Sequence, residues 1–493
     1  MSTATLTGAE GRQISVPTGL FINNEFVAAS GDAILNLENP ATGAQLAKVS
    51  AAQKEDVDRA VEAAKKAYST WKTTDPSTRR GLLNRLADLI ERDAQGLASL
   101  EAVDGGILYR DSMGLHVPQA VDTLRYFAGW ADKVDGVSMT ISQGLAYTRR
   151  EPIGVCAAVV PWNAPLMITV WKLAPALAGG NTLIIKTPEM CPLYGQKLGQ
   201  HVVEAGFPPG VVNILCGIGS VAGQSLAEHM EIKKLSFTGS PGVGRSILAT
   251  SARTNLKKIT LELGGKGPSI VFDDADWENA LLWTTLGITM NNGQICAAGS
   301  RIYVQDSIYA KFVEEFSKRS REAIHGDPLH SGTTKGPVMN KNQLDKMLSY
   351  VEKAHNGDAR LLHGGERLGN NGYFFANTAF ADVAQNAAIM QEEIFGPFAA
   401  IAPFSTEEEA IAKADDSLYG LSAAVFTNDV NKAFRVTEGI QSGQVTVNTW
   451  GTVSANTPFG GVKESGFGRD NGKEALDEWT TVKVVKLNIL PSS

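Results

Sequence analysis

Cysteine is scarce in this chain: Cys156, Cys191, Cys216 and Cys296 are the only four in 493 residues. Two disulfides are possible on paper, but in a large chain without an export signal free thiols are the expectation. No Cys-x-x-Cys pair and no His-Glu-x-x-His occurs, so the common zinc signatures are missing and no metal is expected. Long apolar runs are missing as well. The most apolar stretch, Pro152 to Gly180, is flanked or interrupted by Arg149, Glu151 and Lys172, which leaves too little to cross a bilayer, and no membrane partner is expected. The first twenty residues hold Glu10 and Arg12 and carry neither a signal-peptide apolar block nor an Arg-rich amphipathic pattern. Leu490-Pro491-Ser492-Ser493 matches no lipidation or peroxisomal signal, so a cytoplasmic location is expected. Basic runs are absent too. With 45 basic and 52 acidic residues and a net charge of -7, the chain offers no face for phosphate backbones, and no nucleic-acid partner is expected.

What is present suits a soluble globular protein: 43% hydrophobic and 20% charged residues, enough to bury a large core over about three domains. The first thirty residues read as an irregular arm, followed by a turn at Glu38-Asn39-Pro40-Ala41-Thr42-Gly43. Residues 55–71 read as an amphipathic helix with Val57, Val61, Ala64 and Ala67 on one face. Residues 77–103 read as one or two more, with Leu82, Leu86 and Leu89 at helical spacing. From 150 to 265 short apolar runs alternate with helical segments. The spacing predicts strands at Val155–Val160, Thr182–Lys186, Val212–Leu215, Lys234–Phe237 and Ile259–Leu263, and helices near 167–178, 193–205, 220–229 and 242–252. Such alternation means a parallel sheet covered by helices, with ligands outside the carboxyl ends of its strands. A second alternating region begins beyond Gly264-Gly265-Lys266-Gly267. It has helices near 274–290 and 306–324 and strands near 301–304, 399–403 and 443–447. Residues 134–152 and 480–493 read as extended arms that could pair with each other or with another subunit.

The usual dinucleotide fingerprint, Gly-x-Gly-x-x-Gly after the first strand, is also missing, as is a Walker A loop. Two weaker glycine loops, Gly217-x-Gly219-x-x-x-Gly223 and Gly239-Ser240-x-Gly242-x-Gly244, each follow a strand and open a helix, where free N–H groups suit a phosphate. Either alone reads better as a tight turn whose glycines supply positive φ; two in one sheet favour a nucleotide. Lys186-Thr187-Pro188-Glu189 follows a buried strand, where a lysine and a carboxylate can take a ribose and repel a 2′-phosphate, or simply open a helix.

Taken together, Pro161-Trp162-Asn163, Lys186-Thr187-Pro188-Glu189, Phe237-Thr238-Gly239-Ser240, Leu261-Glu262-Leu263-Gly264-Gly265-Lys266, Gly293-Gln294-Ile295-Cys296, Glu393-Ile394-Phe395-Gly396-Pro397 and Pro458-Phe459-Gly460-Gly461 resemble the aldehyde dehydrogenase superfamily, in its order and spacing, from Asn39-Pro40 to Glu478. The resemblance implies an α/β fold: a Rossmann-like parallel-sheet cofactor domain (1–133 and 153–264), a second α/β catalytic domain (265–464), and a small β oligomerisation arm with the C-terminal segment (134–152 and 465–493). It implies Cys296 as nucleophile, Glu262 as general base, and Asn163 with the Cys296 backbone N–H as oxyanion hole. Lys172 resembles a lysine involved in proton release. For the cofactor, NAD rather than NADP, it implies Lys186 and Glu189 at the adenosine ribose, Ser240 at the pyrophosphate beside Gly239 and Gly244, and Glu393 with Phe395 at the nicotinamide ribose. Val160, Trp162, Gly219, Gly223, Phe237 and Leu263 complete that set. A homodimer or homotetramer is implied.

The chemistry explains the residue types. A thiolate adds to an aldehyde carbon, the resulting oxyanion expels hydride, and a carboxylate then activates water against the thioester. Glu262 favours hydrolysis over transfer of the acyl group to a thiol. Ala164 follows the catalytic asparagine where many relatives carry an aromatic residue, and Met290, Ile295, Ala297 and Val453 lie near the thiol. With Ile168 and Trp171 they predict an apolar substrate pocket for a bulky or hydrophobic aldehyde. Asp470 stands where relatives commonly carry a glutamate, and Asp104-Gly105-Gly106-Ile107 departs from a common pattern. The alternatives are a semialdehyde-specific or acyl-transferring relative, and a catalytically silent protein on the same fold.

Overall fold

Strand followed by helix followed by strand returns the chain each time to the same end of a sheet, which forces parallel pairing. A computed structural model has that architecture; it describes residues 2–488 except Gln143, Asn356 and Asp358. Five parallel strands, Val155–Val159, Thr182–Thr187, Val212–Cys216, Lys234–Thr238 and Lys258–Glu262, form the middle of an eight-stranded sheet. The first strand lies between the second and the fourth, so the winding reverses there and opens a crevice at the carboxyl ends. Helices cover both faces, so Thr182–Thr187, Val212–Cys216 and Lys234–Thr238 are buried throughout.

The expected irregular arm is not irregular. Thr3–Thr7 pairs with Gln13–Pro17, and Leu20–Ile22 pairs with Glu25–Val27 while extending the eight-stranded sheet antiparallel to Val212–Cys216. Strands of five, five, three and three residues are too short for alternation to show in the sequence, yet Leu6, Ile14, Val16 and Phe21 are all buried. The helical stretch 77–103 resolves into Pro76–Arg92 and Ala94–Gly105, broken at Asp93. The expected helix near 220–229 begins instead with a π-helical turn, Gly219–Gly223, and continues as Gln224–Glu228.

A seven-stranded sheet carries the second region. Six of its strands run parallel in the order Thr378–Ala381, Phe398–Phe404, Arg301–Gln305, Pro268–Val271, Ser422–Phe426, Gln444–Val447, and Arg360–His363 closes one edge antiparallel. Thr480–Leu487, Gly144–Pro152 and Ser138–Ile141 pair as a separate antiparallel sheet. Residues 489–493 of the expected arm lie outside the described residues. The chain after 464 does more than form that sheet: Gly466–Phe467 pairs antiparallel with Lys258–Glu262 and closes the other edge of the first sheet. Among the described residues no helix is long and apolar enough to cross a membrane.

The unusual Asp104-Gly105-Gly106-Ile107 stretch gains a physical account. Asp104 Oδ2 accepts the Leu193 N–H at 2.8 Å and so caps the helix Leu193–Ala205, and burial pushes its carboxyl up to about 8. Gly106 ends its own helix in the left-handed conformation, φ 70°.

Candidate active site

Cys296 follows a helix, Trp277–Thr289, that ends abruptly. The chain turns through Met290–Gly293, where Asn291 and Asn292 have φ of 45° and 53°, a conformation asparagine tolerates better than most residues. Gly293 completes the turn at φ 63°, and a Cβ there would lie 2.1 Å from the Gly396 carbonyl oxygen, so only glycine fits. The turn delivers Cys296 to a cavity at the carboxyl end of the first sheet. The next residue is pinned: Ser422 Oγ and Trp450 Nε1 donate to the Ala297 carbonyl at 2.9 and 3.0 Å. Burial, then the Glu262 and Glu393 carboxylates, push the Cys296 thiol up to about 12, against backbone N–H groups of Ala297 and Cys296 that favour the thiolate. Cys156, Cys191 and Cys216 are fully buried and free, while Cys296 is partly exposed.

Glu262 ends the fifth parallel strand, and its carboxylate lines the same cavity. Among the described residues neither oxygen has a hydrogen-bond partner, and a Cβ at Gly460 would lie 2.6 Å from Oε1. Burial first, then Asp470, hold its pKa well above the usual carboxylate range, opposed by Lys172 and Arg469. Lys172 does not reach the cavity. It is buried and hydrogen-bonded to Asp470, which does line it. Asn163 is buried between two loops. Its Nδ2 donates to the Gln294 carbonyl at 2.9 Å, its backbone carbonyl accepts from Asn291 Nδ2 at 2.8 Å, and among the described residues the side-chain amide has no second bond.

Ala164, Ile168, Trp171, Met290, Ile295, Ala297 and Val453, the residues expected at a substrate pocket, all line this cavity, which measures roughly 1050 Å³ out to its open mouth. The sequence reading missed Ile107, Leu115, His116, Met167, Trp450 and Phe459 on the same wall. Ile107, Leu115 and His116 belong to the 107–116 segment, whose helical turns are too short and irregular for a periodic signal. Trp450 and Phe459 sit in loops, where nothing in the local pattern announces a cavity.

The expected cofactor residues lie along the crevice, at or beyond the strand ends. Val160 and Trp162 follow the first strand, Lys186 ends the second with Glu189 after it, and Gly219 and Gly223 follow the third. Phe237, Gly239, Ser240 and Gly244 mark the end of the fourth strand and the helix after it, and Leu263 follows the fifth. Lys186 Nζ meets Glu189 Oε2 at 2.6 Å. Ser240 caps Pro241–Arg253 with its side chain unused, leaving a helix N-terminus open to an anion. Gly244 packs so tightly that a Cβ would approach Leu263 to 2.9 Å, whereas nothing crowds Gly223. Glu393 comes from the second region: Gly265 N–H donates to its Oε1 at 2.9 Å, and burial raises its pKa. Phe395 has φ 63° and stands edge-on to Trp162, ring centres 5.4 Å apart. The exposed Ser240 hydroxyl and the free N–H groups of its helix, with the Lys186–Glu189 pair at a neighbouring strand end, are groups that suit a dinucleotide. Among the described residues no group of three or more His, Cys, Asp and Glu side chains could hold a metal ion.

Residues 26–485 match the model of the aldehyde dehydrogenase family. An aldehyde dehydrogenase of Davidiella tassiana is 46% identical over 475 residues, 96% of each chain. The solved NAD+ complex of an aldehyde dehydrogenase from Bacillus cereus is 40% identical, with a TM-score of 0.95 over 96% of this chain and 97% of that one. An indole-3-acetaldehyde dehydrogenase of P. syringae, solved with NAD+ and IAA, is 36% identical with a TM-score of 0.94 over 96% and 97%.

Proposed function

The chain belongs to the aldehyde dehydrogenase family, and on that footing we propose that it oxidises a bulky or hydrophobic aldehyde to the carboxylic acid with NAD, using Cys296, Asn163 and Glu262. One observation carries the reading: thiol, amide and unpaired carboxylate share a single cavity whose other walls are mostly apolar. Cys296 gives its proton to water and its sulfur bonds to the aldehyde carbon. The carbonyl oxygen becomes an oxyanion, held by Asn163 Nδ2 and the Cys296 N–H, and a donor of this kind is typically worth about 100- to 1000-fold in rate. NAD, when bound, supplies the acceptor for the hydride that the collapsing oxyanion expels. Glu262 then takes a proton from water as its oxygen attacks the thioester; the sulfur leaves as thiolate and the acid departs. A carboxyl with raised proton affinity and no competing hydrogen bond suits that task. Lys172 and Asp470, a buried pair beside Glu262, give the proton an ionisable exit.

Ala164 leaves room beside Asn163, which supports a bulky substrate, as does the name of the P. syringae neighbour. Glu189 beside Lys186 supports NAD over NADP, since a 2′-phosphate would face a carboxylate. Four free thiols suit a reducing compartment such as the cytoplasm. The edge strand Thr480–Leu487, with Val482 and Val484 each 52% exposed, supports a homo-oligomer. The test is NADH absorbance with short aliphatic, long aliphatic and aromatic aldehydes, for wild type beside Cys296→Ala. Turnover only in wild type, favouring bulky substrates, is expected. A clear preference for acetaldehyde would refute the substrate reading, and no turnover of any aldehyde with either nicotinamide cofactor would refute the mechanism.

A further inference from the structure

One imidazole faces the cavity, and nothing above uses it. His116 ends the π-helical turn Ser112–His116, a wider turn than an α-helix and one that often marks a functional position. Ser112 Oγ and His116 Nδ1 both meet Glu101 Oε2, at 2.6 and 2.8 Å. Glu101 Oε1 accepts the Leu166 N–H at 3.0 Å, in the first turn of the helix Pro165–Ala178 that follows Asn163. A fully buried carboxylate thus spends three bonds on fixing the imidazole against the helix that carries Ile168 and Trp171. A carboxylate only accepts, so Nδ1 carries the hydrogen, and Nε2 accepts in the neutral ring and donates in the charged one. Among the described residues Nε2 has no hydrogen-bond partner, and His116 lines the cavity that Cys296 lines. Burial disfavours the charged ring, but Glu101, and Asp111 more weakly, raise its pKa.

We propose that His116 is a specificity residue: its Nε2 hydrogen-bonds a hydroxyl on the substrate, so that the preferred aldehydes are bulky ones bearing a hydroxyl remote from the aldehyde carbon. This rests on the reading of the cavity as an aldehyde site. A carboxylate-bearing substrate fits less well. The cavity walls include Asp111, Glu262 and Asp470 but no lysine or arginine, and Glu101 already neutralises a protonated His116. A hydroxyl both donates and accepts, so it pairs with Nε2 in either protonation state. The surrounding Leu115, Met167 and Val453 give a substituted ring apolar contact but no polar recognition. A substrate lacking the hydroxyl leaves Nε2 desolvated and unpaired, the situation in which an enzyme rejects an analogue most strongly.

The test compares kcat/KM of the NAD-loaded enzyme for hydroxybenzaldehydes and their methyl counterparts, which keep the bulk and remove both donor and acceptor. Wild type should favour the hydroxyl by about tenfold or more, the equivalent of one net hydrogen bond. His116→Leu should bring that ratio close to one, with the change in KM rather than kcat, and His116→Gln should restore part of it. A ratio near one in wild type, or one that His116→Leu leaves unchanged, overturns the inference and leaves the Glu101–His116 contact as a tie between helices. If His116→Leu does not fold, calorimetric binding of hydroxybenzoate against methylbenzoate to the wild-type protein decides it, equal affinity being the refuting result. Absence of turnover with every aldehyde counts against the aldehyde reading itself, and the binding comparison still decides the role of His116.

Discussion

Replacing Glu262 by glutamine separates the two halves of the proposed reaction. Both Glu262 oxygens lack protein hydrogen bonds, and one lies against Gly460. An amide of the same size occupies the same space without breaking any contact, so what is lost is the ability to take a proton. Base catalysis of this kind is worth about 100- to 10,000-fold, and steady-state NADH formation should fall by that factor. The thioester should still form. Rapid mixing should therefore show a burst of NADH approaching one per site, followed by near silence, where wild type shows no such contrast. The variant should also be more stable at higher pH. The native carboxyl holds its proton well above the usual range, so raising pH from about 4.3, where the unfolded group ionises, through the folded pKa steadily destabilises wild type. The amide has no such dependence: the two proteins should melt alike below that window, and Glu262→Gln should melt higher above it. Turnover within about tenfold of wild type, or loss of the burst together with the steady state, would show that Glu262 is not the deacylating base.

Three further outcomes are expected. Asn163→Ala should lower kcat by about 100- to 1000-fold with little change in NAD affinity measured by fluorescence, and a tenfold effect or less would mean the backbone N–H holds the oxyanion alone. Asp470→Asn strands the buried Lys172 ammonium and should cost roughly 3–5 kcal/mol, read from chemical denaturation; Lys172→Met with Asp470→Leu should recover most of it, and additive losses would refute a direct pair. Glu189→Gln should raise kcat/KM for NADP relative to NAD by about tenfold, the equivalent of one net polar interaction, and an unchanged ratio would free Glu189 of any part in cofactor choice.

The parallel sheet was legible because Leu183-Ile184-Ile185 and its counterparts are continuous apolar runs flanked by amphipathic helices, and their ends differ from the expectation by about a residue. The positions of Cys296, Glu262 and Asn163 followed from the resemblance; no periodicity marks them. The N-terminal strands were not legible because three residues, as in Leu20–Ile22, are buried by pairing with a strand nearly two hundred positions later. His116 was missed for a related reason: its partner Glu101, and the Leu166 N–H that Glu101 also accepts, lie on two other helices, and the π-turn that aims it has no sequence signature. Asp470 was noted only as a departure from a pattern, and its contact with Lys172 spans 298 positions.

The return of Gly466–Phe467 to the edge of the first sheet has a consequence for how this protein is made. The strand it borders, Lys258–Glu262, carries the proposed base at its last residue, and Phe459 and Asp470 line the cavity from the same late stretch of chain. On the ribosome, Lys172 emerges roughly three hundred residues before its anion does, at about 5–20 residues per second. Through that interval the helix bearing Lys172 cannot bury its ammonium without heavy cost, and the edge of Lys258–Glu262 stays open to strands of other chains. The proposed thiol, the proposed base and the cavity around them therefore come into register only once the stretch from Phe459 to Asp470 has emerged.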